Sequence, residues 1–299
     1  MKTTAKGHIA VLMTNIFFGV NYSLVKLISP KPVGPYALNL LRVSSSLLLF
    51  WAVWLFSSNA AGIRKQDVSR FLWCALTGVA INQLLFIKGL TLTSTIHASL
   101  LILITPIIVT VFALWVLKEK FTLIKAIGLA LGIGGSVFLI MQKEAQQHAT
   151  DYLLGDIMIL LNAISYSIYF ILVKPLMKIY TPLHVIRWVF TFGFIMLLPF
   201  CWGQTASINW SDFAWYDFAA LATIAIPGTF LAYYFNAYGI RTIGAGTTGT
   251  YIYTQPVFVA IIATVFLHEQ LTWQKILAAT AILSGVFLVG LKTTTQRNI

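Results

Sequence analysis

The sequence contains very little charge. Of its 299 residues only 9% are charged, whereas 59% are apolar, and the mean hydropathy is +0.85. A soluble domain carries roughly 25% charged residues, so this chain has too few to cover a water-facing surface of its size. This shortage excludes an ordinary soluble globular protein. We therefore interpret the chain as an integral membrane protein.

Cysteine and acidic residues are also scarce. The two cysteines, Cys74 and Cys201, both stand in apolar segments, which argues against a disulfide framework or a metal site. The eight acidic residues fall at the ends of apolar segments or in connections, so we expect no buried carboxylate and little support for proton coupling. The chain lacks an acid pair, a His-x-x-x-His motif and a Gly-x-Ser-x-Gly motif, which embedded enzymes use. We expect no catalytic residue, no metal and no cofactor.

The net charge of +12 is compatible with a nucleic-acid partner, but its distribution is not. The basic residues are scattered among short connections and form no stripe or patch. Basic residues placed in this way are typical of topology signals beside a membrane. We therefore expect the lipid bilayer and a small-molecule solute as partners, and no nucleic acid.

Long apolar runs are abundant. A membrane-spanning helix needs about 20 mostly apolar residues, and their continuity excludes the alternating pattern of a β-barrel. The chain is predicted to be an all-α integral membrane protein with ten transmembrane helices, the first of them retained rather than cleaved as a signal peptide. The ten predicted spans are 8–28, 35–56, 69–88, 96–117, 122–141, 153–173, 183–202, 213–236, 246–267 and 272–291.

The basic residues in the connections predict an orientation. With the N-terminus inside, 13 Lys and Arg residues fall on the cytoplasmic side and 5 on the outside. Cytoplasmic connections carry the excess of Lys and Arg in membrane proteins. We expect a multi-pass protein of the cell (inner) membrane with both termini cytoplasmic.

A long pattern occurs twice in the chain. Residues 106–125 align with 256–275 at an offset of 150 without a gap, and residues 7–26 align with 155–174 at an offset of 148. Each copy contains five predicted spans, and this odd number gives the two copies opposite orientations in the membrane. We expect two inverted five-helix repeats with the site between them. The predicted domains are 1–147, 148–292 and a short cytoplasmic tail, 293–299.

The chain has two five-helix halves, and each half ends in a proline, an apolar run, a glutamate and a glycine-bearing helix. This arrangement resembles that of EamA-type transporters of the drug/metabolite transporter superfamily. The resemblance covers essentially the whole chain. It implies a ten-helix exporter or permease for small metabolites, often amino acids, and it selects no substrate. The matching residues are Pro106 to Glu119 with Gly128, Gly132 and Gly135, Pro256 to Glu269 with Gly285, and Arg42 in span 2. The second half departs in having Ser284-Gly285 where the first has Gly134-Gly135.

Each repeated stretch begins with a proline inside an apolar run. Proline removes one helical hydrogen bond and frees the carbonyl four residues earlier, here that of Ile102 or Ile252. We interpret Pro106 and Pro256 as hinge or kink positions that border a polar cavity. The alternative is a tolerated kink packed against neighbouring helices.

Charged residues near helix ends have simpler interpretations. Glu119 and Glu269 stand where one span ends and the next begins, and a helix dipole favours a carboxylate there, so we interpret both as structural. Arg42 lies two turns into span 2 and also belongs to the structural motif. It either reaches the surface or a backbone carbonyl, or it attracts a substrate carboxylate. His97 is interpreted as a boundary residue of span 4.

Polar side chains within spans are concentrated in spans 1, 3, 4, 6, 8 and 9. A buried amide without a partner costs a few kcal/mol, so these groups must face one another or a watery cavity. The alternative is contact between helices that holds the bundle together. A neutral, aromatic cavity suits an amphipathic or zwitterionic solute and disfavours a multiply charged cation. The predicted cavity residues are Asn15, Tyr22, Asn82, Gln83, Thr105, Asn162, Tyr166, Tyr169, Tyr234, Tyr251, Thr254 and Gln255.

Small residues spaced four apart recur in the last span of each half. Gly128 and Gly132 form one such face, and Ala281 and Gly285 form the other. Such faces allow close helix packing. We expect them to pack within the chain, with a homodimer as the alternative.

These features together favour one function. We expect a metabolite transporter, acting as an exporter, that alternates access around a central cavity between the repeats. The alternatives are a passive channel, a structural membrane protein and a membrane-embedded enzyme.

Overall fold

Helices form all the regular secondary structure in the part of the chain that the computed structural model describes, residues 2–56, 62–108, 111–112, 122–141 and 151–290. Several helices change their hydrogen-bonding pattern along their length. The helices are α1 (Lys2–Ile28), α2 (Pro35–Leu55), α3 (Lys65–Leu92), α4 (Thr95–Ile108), α5 (Leu123–Met141), α6 (Tyr152–Ile179), α7 (Pro182–Ala206), α8 (Trp215–Thr242), α9 (Thr247–Phe266) and α10 (Trp273–Gly290).

Each of these helices overlaps one predicted span. Eight are long and apolar enough to cross a membrane, whereas α4 and α10 are shorter within the described residues. The end of the predicted fourth span, Glu119 and the predicted tail 293–299 lie outside the described residues. A tenfold crossing therefore stays a prediction, although the helical bundle itself is observed.

Local sequence explains where several helices begin. The side chains of Ser94, Asp151 and Thr181 each accept a hydrogen bond from the backbone N–H three residues later, at 3.1–3.3 Å. Such caps satisfy amide groups that have no partner within the helix. Proline also occupies the first turn of α2 and α7, where its missing N–H costs nothing.

The ends of the helices meet at two opposite faces of the bundle. We name the face where α1 begins the near end and the face where it finishes the far end. At the near end, the Tyr180 hydroxyl after α6 donates to Asp67 Oδ2 at 2.6 Å, and Arg241 at the end of α8 donates to the Tyr180 carbonyl at 3.4 Å. At the far end, the Tyr36 amide donates to Gln204 Oε1 at 3.0 Å. Helices α6 and α8 therefore end at the near end, where α3 begins, and α7 ends at the far end, where α2 begins.

Most of the helix packing joins one half of the chain to the other. Helix α1 packs against α8 and α9, and α6 packs against α3 and α4. Helix α2 packs against α7, and α5 against α10. Exchanging each helix with its counterpart five positions along the chain maps this pattern onto itself. The buried apolar side chains form two clusters that both contain residues of both halves.

Helices α5 and α10 contact each other through backbone atoms. A Cβ added at Gly285 would lie 2.5 Å from the Gly128 carbonyl oxygen and 2.6 Å from the Gly132 nitrogen. The two small-residue faces therefore pack against each other within the chain, in antiparallel orientation. A homodimer remains a prediction that these contacts do not address.

Candidate functional site

A cavity of about 60 Å³ lies between the two halves. Because one water molecule needs at least about 10–15 Å³, the cavity has room for a few water molecules. Helices α1 to α4, α6, α8 and α9 contribute to its wall. The lining residues are Phe18, Asn21, Tyr22, Arg42, Asn82, Gln83, Phe86, Ile102, Thr105, Asn162, Tyr166, Tyr233, Ile252 and Gln255.

The structure brings part of the predicted cavity set together. Seven of the twelve predicted residues line this cavity: Tyr22, Asn82, Gln83, Thr105, Asn162, Tyr166 and Gln255. Three of them bond to another predicted residue. Gln255 Nε2 donates to Asn15 Oδ1 at 2.8 Å, and Asn162 Nδ2 donates to the Asn82 carbonyl at 2.7 Å. The amides therefore connect helices as well as facing the cavity.

The other five predicted residues lie outside the lining. Asn15 stands behind Gln255, and Tyr169 stacks on Tyr166 with ring centroids 5.8 Å apart. Tyr251 contacts His8 at 2.8 Å, and the Thr254 hydroxyl donates to the Tyr251 carbonyl at 2.7 Å. The fifth residue, Tyr234, has its ring against the neighbouring Phe235. These residues support the wall or occupy the near end of the bundle.

Several cavity residues were not among those predicted. They are Phe18, Asn21, Phe86 and Tyr233. The lining also includes Ile102 and Ile252, the residues whose carbonyls the two prolines were expected to free. The repeat contained a signal for Tyr233, because it is equivalent to Gln83 at the offset of 150. The two side chains meet, with Gln83 Nε2 donating to the Tyr233 hydroxyl at 3.1 Å.

Helices α4 and α9 change their winding just before their prolines. In α4 the amides of Leu103 and Ile104 bond to carbonyls three residues earlier, at 3.1 Å. In α9 the segment Tyr251–Thr254 is a 3₁₀ helix. The two interruptions stand at equivalent places beside the cavity, where a proline removes the helical bond. Pro106 and Pro256 as hinges remain a proposal.

Helices α3 and α8 each contain a π-helical segment, Leu76–Ala80 and Ile226–Leu231. The segments start 150 residues apart, at the offset of the repeat. Each contains a glycine that is approached by the other half. A Cβ at Gly78 would overlap the ring of Tyr169, and one at Gly228 would lie 3.2 Å from the Asn21 side chain. Segments of this kind often occur at functional sites.

Arg42 is buried in the wall of the cavity, with 3% of its surface exposed. Its Nε donates to Thr229 Oγ1 at 3.0 Å, and that hydroxyl donates to the Ile224 carbonyl, five residues earlier, at 2.8 Å. The π-helical segment of α8 therefore positions the hydroxyl that holds the guanidinium. Arg42 neither reaches the surface nor bonds to a backbone carbonyl in the described part of the chain.

Five buried polar atoms around the cavity have no hydrogen-bond partner among the described residues. They come from α1, α2, α3 and α4. An unpaired buried polar group costs about 1–3 kcal/mol. A cavity that contains so many unpaired groups is suited to hold water or a polar solute. The atoms are Asn21 Oδ1, the Tyr22 hydroxyl, Arg42 Nη1, Gln83 Oε1 and Thr105 Oγ1.

Glu269 connects the two halves at the far end. Its two carboxylate oxygens accept hydrogen bonds from the amides of Thr95 and Ile96, at 2.8 and 3.0 Å. These amides open α4, so a residue of the second half caps a helix of the first half. Lys26 lies at the same end and donates to three carbonyls at the end of α3, at 2.6–3.3 Å.

The expectation of no buried carboxylate is wrong. Asp156, in the first turns of α6, is fully buried and accepts a hydrogen bond from Thr93 Oγ1. Its other oxygen lies 3.2 Å from His97 Nδ1, and His97 is fully buried too. Both residues stand near helix ends, as interpreted, but α3, α4 and α6 meet there and exclude solvent. In the described part of the chain no group of three His, Cys, Asp or Glu residues could hold a metal ion.

Comparison with known proteins identifies relatives of the whole chain. The model of the EamA-like transporter family matches residues 5–141 and again residues 153–291. An uncharacterized transporter of Archaeoglobus fulgidus is 24% identical, covering 96% of this chain and 98% of that protein. The uncharacterized transporter YetK of Bacillus subtilis is 23% identical, covering 83% of this chain and 76% of that protein.

One crystal structure resembles the fold over nearly its full length. Its TM-score is 0.64 at 16% sequence identity, over 97% of this chain and 96% of that chain. At this identity the likeness concerns the fold alone. The double match of the family model, together with the apolar helices, makes this chain a multi-pass membrane protein that belongs to the EamA-like transporter family.

Proposed function

We propose that the protein transports small amphipathic metabolites, such as amino acids and related solutes, by alternating access around the cavity between its halves. The observation that carries this proposal is the cavity itself. Both halves line it, and it contains five buried polar atoms that have no partner among the described residues. Homologues described as transporters support the same function.

Equivalent contacts in the two halves support an inverted repeat of two five-helix units. Asn162 Nδ2 donates to the Asn82 carbonyl, and at the offsets of the repeat Thr14 Oγ1 donates to the Ala232 carbonyl at 3.2 Å. A transporter with such symmetry opens to either side by exchanging the conformations of its halves. The excess of basic residues in the connections on that side supports a near end, with both termini, on the cytoplasmic face of the cell (inner) membrane.

The small volume of the cavity supports a moving carrier over a passive channel. A volume of about 60 Å³ is far below the roughly 300–1,000 Å³ of a typical ligand pocket, so binding of an amino acid requires the helices to separate. The irregular segments before Pro106 and Pro256 provide places for such a change. Export as the direction of transport rests on the family resemblance.

Flux measurements in proteoliposomes test the proposal. Reconstituted protein should transport a radiolabelled amino acid with saturation, and unlabelled solute on the opposite side should accelerate the flux. Asn82→Ala, Tyr166→Ala and Gln255→Ala should each reduce it, whereas Thr280→Ala, an exposed position of α10, should not. A linear flux without acceleration would indicate a channel. Comparison of inside-out and right-side-out vesicles tests export.

A further inference from the structure

We propose that Arg42 binds the carboxylate of the transported solute, so that the cavity selects molecules with one free carboxylate. This inference rests on the proposed transport function and assigns the chemistry of its site.

The guanidinium of Arg42 is buried without a counter-charge. Its only hydrogen bond among the described residues goes from Nε to the Thr229 hydroxyl, and no described carboxylate lies within ion-pair distance. A charge in the membrane interior is expensive and is normally paired or faces a water-filled cavity. A carboxylate is the partner that matches guanidinium geometry, through two parallel hydrogen bonds.

Lys26 shows how this chain satisfies a cation that serves the structure. Its ammonium group donates to the carbonyls of Leu90, Thr91 and Thr93 and thereby caps α3. Arg42 makes no such bonds to the described backbone. The hydrogen bonds of Lys26 are those of a structural cation, whereas the guanidinium of Arg42 is still able to bind a ligand.

The π-helical segment of α8 orients the guanidinium. The Thr229 hydroxyl accepts the hydrogen bond of Arg42 Nε. One turn after Arg42, the Ser46 hydroxyl donates to the carbonyl of Ala225 at 3.1 Å. Helix α2 is therefore fixed against α8 at two successive turns. Arg42, whose Nη1 has no hydrogen-bond partner among the described residues, is one of the residues that line the cavity.

The remaining cavity wall is neutral. Among the described residues that line it, Arg42 alone carries a full charge. Asn21 Oδ1 and Gln83 Oε1 are acceptors suited to a solute N–H, and Tyr22, Phe86 and Tyr166 offer ring surfaces. A single cation with neutral surroundings favours a monocarboxylate, with or without an amino group, over a dicarboxylate or a cation.

Two pairs of probes isolate the carboxylate. Phenylalanine is compared with phenylalaninamide, and 3-phenylpropionate with 3-phenylpropanamide, by titration calorimetry on the purified full-length protein. We expect the wild type to bind each acid at least tenfold more tightly than its amide. In Arg42→Gln this ratio should fall to within twofold, because the guanidinium is gone.

A second buried arginine provides the control. The guanidinium carbon of Arg187 lies 4.3 Å from the Trp54 ring, and Arg187 is outside the cavity lining. Arg187→Gln should therefore retain the tenfold preference. If Arg42→Gln does not fold, Arg42→Lys decides, because a lysine cannot form the two parallel bonds and the preference should fall at least threefold.

Three results would overturn the inference. They are equal binding of acids and amides by the wild type, binding of neither, and an unchanged preference in the Arg42 variants. Saturable, trans-stimulated flux of phenylalaninamide at the rate of phenylalanine would also overturn it, while leaving the proposed transport function standing. A flux that is linear for every probe would instead contradict the transport function.

Discussion

Replacement of Gly285 by alanine tests the contact between α5 and α10. The added Cβ would lie 2.5 and 2.6 Å from two backbone atoms of Gly128 and Gly132, where ordinary contacts begin near 3.4 Å. Because backbone atoms cannot rotate away as a side chain can, one helix must move by up to about 1 Å. Overpacking of this kind costs about 1–3 kcal/mol.

The change has a smaller favourable effect as well. Alanine is better than glycine inside a helix by about 0.5–1 kcal/mol. We therefore expect Gly285→Ala to lower the free energy of unfolding by about 1–2 kcal/mol, or the melting temperature by a few degrees.

Gly134→Ala is the matched control, because a Cβ at Gly134 in α5 would meet no heavy atom within 4 Å. It should leave stability unchanged or raise it by up to about 1 kcal/mol. Thermal and denaturant unfolding of both variants in the same detergent supplies the comparison. If Gly285→Ala is as stable as Gly134→Ala, the two helices do not pack through these glycines.

Two further substitutions test contacts between the halves. Glu269→Ala removes the acceptors for the two amides that open α4 and should lower the free energy of unfolding by about 2–4 kcal/mol. The control Asp212→Ala, at an exposed position, should change this free energy by less than about 0.5 kcal/mol. Equal stability of the two variants would contradict the cap. Tyr233→Phe leaves Gln83 Nε2 without its partner, so it should lower the free energy of unfolding by about 1–3 kcal/mol and reduce transport. Tyr216→Phe, at an exposed position, is the control. Wild-type flux and stability in Tyr233→Phe would show that this bond is not formed.

Composition and the repeat predicted much of the architecture. Continuous apolar runs of about 20 residues predict helices because a membrane span must satisfy its own backbone hydrogen bonds. The offset of 150 also relates features that periodicity does not predict, such as the π-helical segments. At equivalent positions of the two π-helical segments only the glycines, Gly78 and Gly228, are identical. A glycine alone does not predict the extra residue per turn that makes a helix π-helical.

The partners of the site residues depend on contacts between distant parts of the chain. Asn162, Tyr166 and Tyr169 share one face of α6, but Tyr169 stands one turn beyond the cavity and packs beneath Tyr166. The sequence gives the face of a helix but not the depth of a cavity along it. Likewise, the sequence shows an arginine at position 42, but only the structure shows that it packs against α8 and has no counter-charge among the described residues.

Measuring access to the cavity from both sides of the membrane tests alternating access most directly. Thr105 lines the cavity, and its hydroxyl has no described partner; it is replaced by cysteine after the two buried cysteines, Cys74 and Cys201, have been changed to alanine. In oriented, sealed vesicles a membrane-impermeant thiol reagent should modify this cysteine from either face, and excess solute should slow both reactions. Modification from one face alone, with or without solute, would contradict alternating access.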